Sequence, residues 1–245
     1  MTKHLIVLFT FVFLYSAKAQ SSLSKPTVGT EPTLKSLLDE KKAKFEASAT
    51  EEQKKIYAAG INDIIEKGTL KKAKKVGEEA PDFALTDATG KTISLKKLLA
   101  QGPVVLTWYR GGWCPYCNIT LNRMKTEMPK FKEAGASFVV LTPELPDKSL
   151  TTKEKIGLEF TVLSDVGNEV AKTYGIVFRL TEAVAESYQN SFDLHTYNGD
   201  ETNELPLAAT YVIDPKGIIR YAFVRADYRE RAEPADILEA LRKLK

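Results

Sequence analysis

Apolar residues recur along this chain with two different periods, and the change from one to the other divides it. Over 33–45, Leu34, Leu37, Leu38 and Phe45 fall three or four apart behind Thr33, which predicts an amphipathic helix with a threonine cap. Over 50–68, Thr50 and Gln53 have capping-box spacing, and Ile56, Tyr57, Ile61, Ile64 and Ile65 form the stripe. Gly68 suits the stop. Each helix leaves an apolar face that needs cover, either by docking on the rest of the chain or by contact in a homodimer.

From Val76 the pattern shortens into strands that alternate with helices. Residues 82–95 read as a hairpin around Gly90, and 95–102 as a short helix ended by Gly102. Residues 103–109, "PVVLTWY", are continuously apolar and β-branched, as in a strand buried on both faces. A helix follows on Leu121, Met124, Met128 and Phe131, with Pro129 expected to kink it. Strands at 137–144 and 161–165 alternate with helices at 151–160 and 168–176. A hairpin over 210–224 turns at Asp214-Pro215-Lys216-Gly217, and an amphipathic helix closes the chain. Between these, 177–206 is an aromatic and acidic insertion, expected to form a rim.

The first residues follow neither period. A basic start (Lys3, His4), an apolar run from Leu5 to Tyr15 and the exit Ala17-Lys18-Ala19 describe a secretory signal peptide cleaved after Ala19. The run is shorter than the ~20 apolar residues of a membrane span, so export to the periplasm or outside the cell is expected, without stable membrane insertion. Three segments result: a leader over 1–19, a helical extension and linker over 20–75, and a main domain over 76–245. The run Lys71-Lys72-Ala73-Lys74-Lys75 reads as solvated linker. Of 35 lysines and arginines two leave with the leader, and the remaining 33 against 32 acids make nucleic acid an unsuitable partner.

Both cysteines of the chain lie in "YRGGWCPYCN", 109–118. A C-x-x-C bridge closes so small a loop that it stabilises little as a staple. A metal would need further ligands, and His195 is the sole histidine beyond the leader. A redox pair fits better, and it needs no cofactor. Cys114 at a helix start meets unsatisfied N–H groups that favour a thiolate. Pro115 suits the first helical turn. Arg110 can add positive charge, Gly111 and Gly112 allow a tight turn, and Trp113 is either a lid over the sulfur or core. Cys117, one turn on, faces the same side and can resolve an oxidised Cys114. Tyr116 reads as a rim aromatic, Trp108 as core and His195 as a satisfied loop residue. Strand, C-x-x-C at a helix start, strand, helix, hairpin, helix is an α/β order. It predicts a thioredoxin-like fold, a central mixed sheet flanked by helices, with a two-helix N-terminal extension.

Four stretches carry a resemblance: "GEEAPDFALTDATGKTISL", "VVLTWYRGGWCPYCNITL", "VLSDVGNEVAKTYGI" and "TYVIDPKGIIRYAFV". Together they resemble the peroxiredoxin-like branch of the alkyl hydroperoxide reductase/thiol-specific antioxidant superfamily, with its Y-R-G-x-W-C-P-x-C signature. The resemblance implies a thiol-dependent peroxidase that reduces a hydroperoxide and is recycled by thioredoxin or a similar dithiol. Two places depart from the family's pattern. Gly111 stands where a threonine or serine hydroxyl usually binds peroxide, and Ala208 where an arginine is usual. Pro206 lies two residues before the place of the proline that faces the pair in thioredoxins. A thiol–disulfide oxidoreductase acting on protein disulfides, and a thioredoxin-fold binding module without turnover, therefore remain alternatives.

Overall fold

The computed structural model describes residues 31–87 and 90–244, and the leader expected over 1–19 lies outside the described residues. Helix α1 (Leu34–Ser48) starts at Thr33, whose hydroxyl accepts from Ser36 N at 3.1 Å. Helix α2 (Glu51–Glu66) opens on the expected capping box: Thr50 and Gln53 each accept the other's backbone N–H. The lysine run is not all linker, because its start belongs to a short helix α3 (Thr69–Lys72), beyond which Ala73 is buried.

A small hairpin follows, β1 (Ala84–Thr86) against β2 (Thr92–Ser94), then α4 (Leu95–Leu99), β3 (Val104–Trp108) and α5 (Pro115–Glu133). Helix α5 runs through Pro129 to Glu133, so the proline does not end it. Next come β4 (Ser137–Thr142), α6 (Pro146–Ile156), β5 (Thr161–Ser164) and α7 (Glu169–Thr173). The insertion holds β6 (Val177–Arg179), α8 (Glu182–Phe192), α9 (Leu194–Asn198) and β7 (Glu204–Pro206). The chain then closes with β8 (Ala208–Ile213), β9 (Ile219–Arg225) and α10 (Pro234–Arg242).

The central sheet has the order β5-β4-β3-β8-β9. Strands β3, β4 and β5 are parallel, whereas β8 runs antiparallel to β3 and β9 antiparallel to β8. This is the mixed sheet of the thioredoxin fold. Period-two alternation in β3 explains the continuous apolar run, for the strand faces two cores. Val105 and Tyr109 point to one, shared with Leu34 and Leu38 of α1, Leu121 and Phe131 of α5, and Ile237 of α10. Val104, Leu106 and Trp108 point to the other, with Ile64 of α2, Leu95 of α4 and Tyr174. Each aliphatic side chain so covered contributes about 1.5–3 kcal/mol of hydrophobic free energy. The described chain from Pro32 onward forms one compact unit, so α1 and α2 use their apolar faces on the sheet domain itself.

The insertion builds a third, smaller core. Strands β6 and β7 pair Val177 with Pro206, away from the central sheet, and Val184 and Tyr188 of α8 pack with Leu180 and Leu205. Tyr57 of α2 and Trp113 lie against the same cluster, which brings the insertion over the start of α5. Among the described residues no helix is long and apolar enough to cross a membrane.

Candidate active site

Parallel neighbours β3 and β4 deliver their C-terminal loops to the same sheet edge, and the cysteines sit there. Cys114 is the N-cap of α5, with extended backbone, and Pro115 takes the first helical position, where no N–H is needed. The Cys114 sulfur accepts from Cys117 N at 3.4 Å, one of the orphan donors of the helix start. The preceding loop is held from both sides. Gly112 N donates to Glu144 Oε1 at 2.9 Å, and the Asn118 amide donates to Gly112 O at 2.8 Å.

Gly111 is constrained by what covers it. Its φ is +155°, and a Cβ there would lie 2.1 Å from Trp113 Nε1, so the indole fills the space a side chain would need. At Gly112 a Cβ would meet Thr152 Oγ1 at the same distance. A family-like hydroxyl at 111 is therefore incompatible with this packing. Gly111→Thr is expected to lower unfolding free energy by about 2–3 kcal/mol through clash and strained backbone. Urea unfolding checks this, and peroxide turnover should fall rather than rise.

Two buried guanidinium groups flank the sulfurs. Arg110, only 2% exposed, lies in an aromatic cage. Its guanidinium carbon is 4.3 Å from the Tyr228 ring centroid and 5.1 Å from those of Trp113 and Tyr188, and it donates to the Tyr188 hydroxyl at 2.7 Å. Arg231, from the loop before α10, donates through Nη2 to Cys117 Sγ at 3.3 Å. Its other arm donates to the carbonyls of Tyr228 and Glu230. Among the described residues neither arginine is in an ion pair with a carboxylate. Buried charges need a counter-charge, and the cysteines are the acids at hand.

The two thiols, both free and buried, respond as one system. Burial first, then the hydrogen bond to Cys117 and its charge, push Cys114 well above the ordinary thiol range. Burial also opposes ionisation of Cys117. The hydrogen bond from Cys114 and the charges of Arg231 and Arg110 outweigh it and pull Cys117 down to about 5. The reduced pair thus carries one thiolate, centred on Cys117, with Cys114 donating to it. This corrects the expectation that the helix start alone would make Cys114 the anion: one N–H at 3.4 Å competes poorly with a guanidinium on the neighbouring sulfur.

Behind the pair lies the fully buried carboxyl group of Glu144. Burial raises its pKa, against the hydrogen bond from Gly112. In front, Cys114 but not Cys117 opens on a cavity of about 180 Å³. Arg110 and Trp113 line it from the loop, Phe45 and Tyr57 from α1 and α2, and Tyr188 and Phe192 from α8. Trp113 stacks on Phe192, with centroids 4.3 Å apart and planes 11° from parallel. The insertion therefore forms the expected rim, and the N-terminal helices form the facing wall.

The structure brings Cys114, Cys117, Arg110, Gly111, Trp113 and Pro115 to one place. Trp113 is a wall of the cavity. Tyr116 is buried edge-on against Tyr228 rather than placed on an open rim. His195 lies in α9, hydrogen-bonded to Asn203, and Ala208 is buried at the start of β8. Arg231, Glu144, Tyr188 and Tyr228 were not indicated by the sequence reading. Glu144 had a usable signal, an acid at the C-terminal end of a strand next to β3. Arg231 had none, because the neighbouring Arg229 looks the same in sequence and pairs with Asp227 instead.

A family model described as AhpC/TSA family matches residues 76–222. Thiol-disulfide oxidoreductase ResA of Bacillus cereus is 33% identical over 125 residues, which cover 50% of this chain and 71% of that protein. Chloroplastic peroxiredoxin Q of Populus jackii is 31% identical over 147 residues, covering 60% of this chain and 59% of that protein. The crystal structure of peroxidoxin BcpB from Mycobacterium tuberculosis superposes with a TM-score of 0.55 at 24% identity, covering 70% of this chain and 98% of that one. A peroxiredoxin-like protein from Aquifex aeolicus gives 0.56 at 16% identity, covering 71% and 89%. The two structures share the fold.

Proposed function

The chain belongs to the AhpC/TSA family and is a thiol oxidoreductase, and on that footing we propose that it is an exported peroxidase in which Cys114 attacks a hydroperoxide and Cys117 resolves it. The observation that carries the reading is a buried cysteine pair beside two buried arginines, one of them donating to Cys117 Sγ, whose outer sulfur faces a small walled cavity. Export rests on the leader over 1–19.

Cys114 gives its proton to the Cys117 thiolate, to which it is already hydrogen-bonded, and its sulfur attacks the outer peroxide oxygen. The O–O bond breaks, Cys114 becomes a sulfenic acid, and the leaving alkoxide takes the proton back from Cys117 and departs as an alcohol. The restored Cys117 thiolate attacks Cys114 Sγ and expels hydroxide, which takes a proton from solvent and leaves as water, and a Cys114–Cys117 disulfide remains. A thioredoxin-like dithiol reduces that bond by exchange. Until the hydroxide departs, Arg110 and Arg231 face one negative charge at each step, and this constancy keeps the cost of those buried steps low.

The similarity to ResA favours a second reading, reduction of a protein disulfide at Cys114. Against it, the cavity over Cys114 is small, about 180 Å³, and walled by aromatic side chains, which suits a small organic substrate. A coupled assay separates the two. With thioredoxin, its reductase and NADPH, hydroperoxide should drive steady NADPH oxidation, while insulin should be reduced no faster than by thioredoxin alone. Rapid insulin reduction with peroxide left intact would reverse the assignment.

A further inference from the structure

Seven of the residues around the cavity over Cys114 are aromatic, far more apolar wall than a hydrogen peroxide molecule can use. The charged residues that line it are Arg110 and Lys41, both cations, with no acid among the lining residues. Arg110 is committed to the sulfurs and the tyrosine cage. Lys41 is different. It lies on α1 one turn before Phe45, so ammonium and ring share one helix face. It makes no ion pair or side-chain hydrogen bond among the described residues. Its neighbours on that helix do: Glu40 is paired with Lys44, and Lys35 with Asp39. An unpaired ammonium beside an aromatic wall suits a ligand that joins an apolar body to an anionic group.

Resting on the peroxidase reading, we propose that the substrate is an organic hydroperoxide that also carries a carboxylate, its apolar body held by Phe45, Tyr57 and Phe192 and its carboxylate by Lys41. The hydroperoxide end then reaches Cys114, and the chemistry is the two-electron reduction described above: alcohol leaves, water follows, and the carboxylate is unchanged. The N-terminal helices thereby supply substrate selection as well as core, since both Lys41 and Phe45 belong to α1 and Tyr57 to α2.

The test uses cumene hydroperoxide bearing a para-carboxylate and the methyl ester of the same molecule, which keeps body and peroxide and removes the charge. Rates are read as kcat/KM with thioredoxin recycling, for wild type, Lys41→Met and Phe45→Ala. The acid should exceed the ester about fivefold at low salt, the scale of one partly exposed charge pair. Lys41→Met should bring the ratio to about one. Phe45→Ala should lower kcat/KM for both while keeping the ratio. Equal rates for acid and ester in wild type, or a preference that survives Lys41→Met, would overturn the proposal while leaving the peroxidase reading intact. No consumption of either compound or of hydrogen peroxide would overturn both.

Discussion

Cys114→Ser should lower the second-order rate with hydroperoxide by at least about a thousandfold, because a serine hydroxyl does not ionise near neutral pH and has no sulfur to form a sulfenic acid. Cys117→Ser should behave differently. Its Cys114 still faces the cavity and can take one oxygen, so one equivalent of peroxide per chain is consumed and turnover then stops. That single event should also be slower than in wild type, by about 10²-fold, because the variant has lost the thiolate that accepts the Cys114 proton. Stopped-flow peroxide consumption gives both numbers, and dimedone labelling of Cys114 identifies the trapped sulfenic acid. A Cys117→Ser variant with an undiminished first turnover would remove proton acceptance from the account and leave Cys117 as resolver only.

Arg231→Met carries the second large effect. Methionine fills much of the same space, so the chief loss is the charge at 3.3 Å from Cys117 Sγ. Burial then acts on the pair with Arg110 as the remaining nearby cation, and the thiolate midpoint should rise from about 5 by about two units. Thiolate absorbance at 240 nm follows this titration. The rate consequence has a definite sign. Wild type should react at a constant rate between pH 6 and 8 and lose activity as the pH falls through about 5. The variant should be about tenfold slower at pH 6 and recover as the pH rises. The depressed pKa also links to stability: the contribution is complete above the ordinary thiol value of ~8.5 and is lost as the pH falls towards the folded-state value. Arg231→Met should flatten that slope. A variant that keeps the wild-type midpoint would show that Arg110 and the helix start suffice.

Much of this fold was legible because local signals and tertiary demands agree. The capping box at Thr50 and Gln53, the two-faced strand β3 and the Asp214–Gly217 turn each formed as their residues require. So did the cysteine pair at a helix start, since Pro115 and the glycines admit few other conformations. What stayed hidden depends on contacts distant in sequence. Arg231 reaches Cys117 from 114 positions away, and its difference from Arg229 arises only where the loop before α10 folds back. Likewise the space taken by Trp113 Nε1 above Gly111 explains the missing hydroxyl, and spacing alone could not show it. The position of the thiolate was the sharpest difference. Helix-terminus reasoning favoured Cys114, but a direct guanidinium contact on Cys117 outweighs one backbone donor.

On this mechanism the reduced pair, by itself, converts one hydroperoxide into an alcohol and water. Fully reduced protein, freed of any other thiol, is mixed with one equivalent of hydroperoxide, and thiols and peroxide are counted together. One peroxide should be consumed for every two thiols lost, with a Cys114–Cys117 disulfide mapped by mass spectrometry. Persistent peroxide with both thiols intact would contradict it.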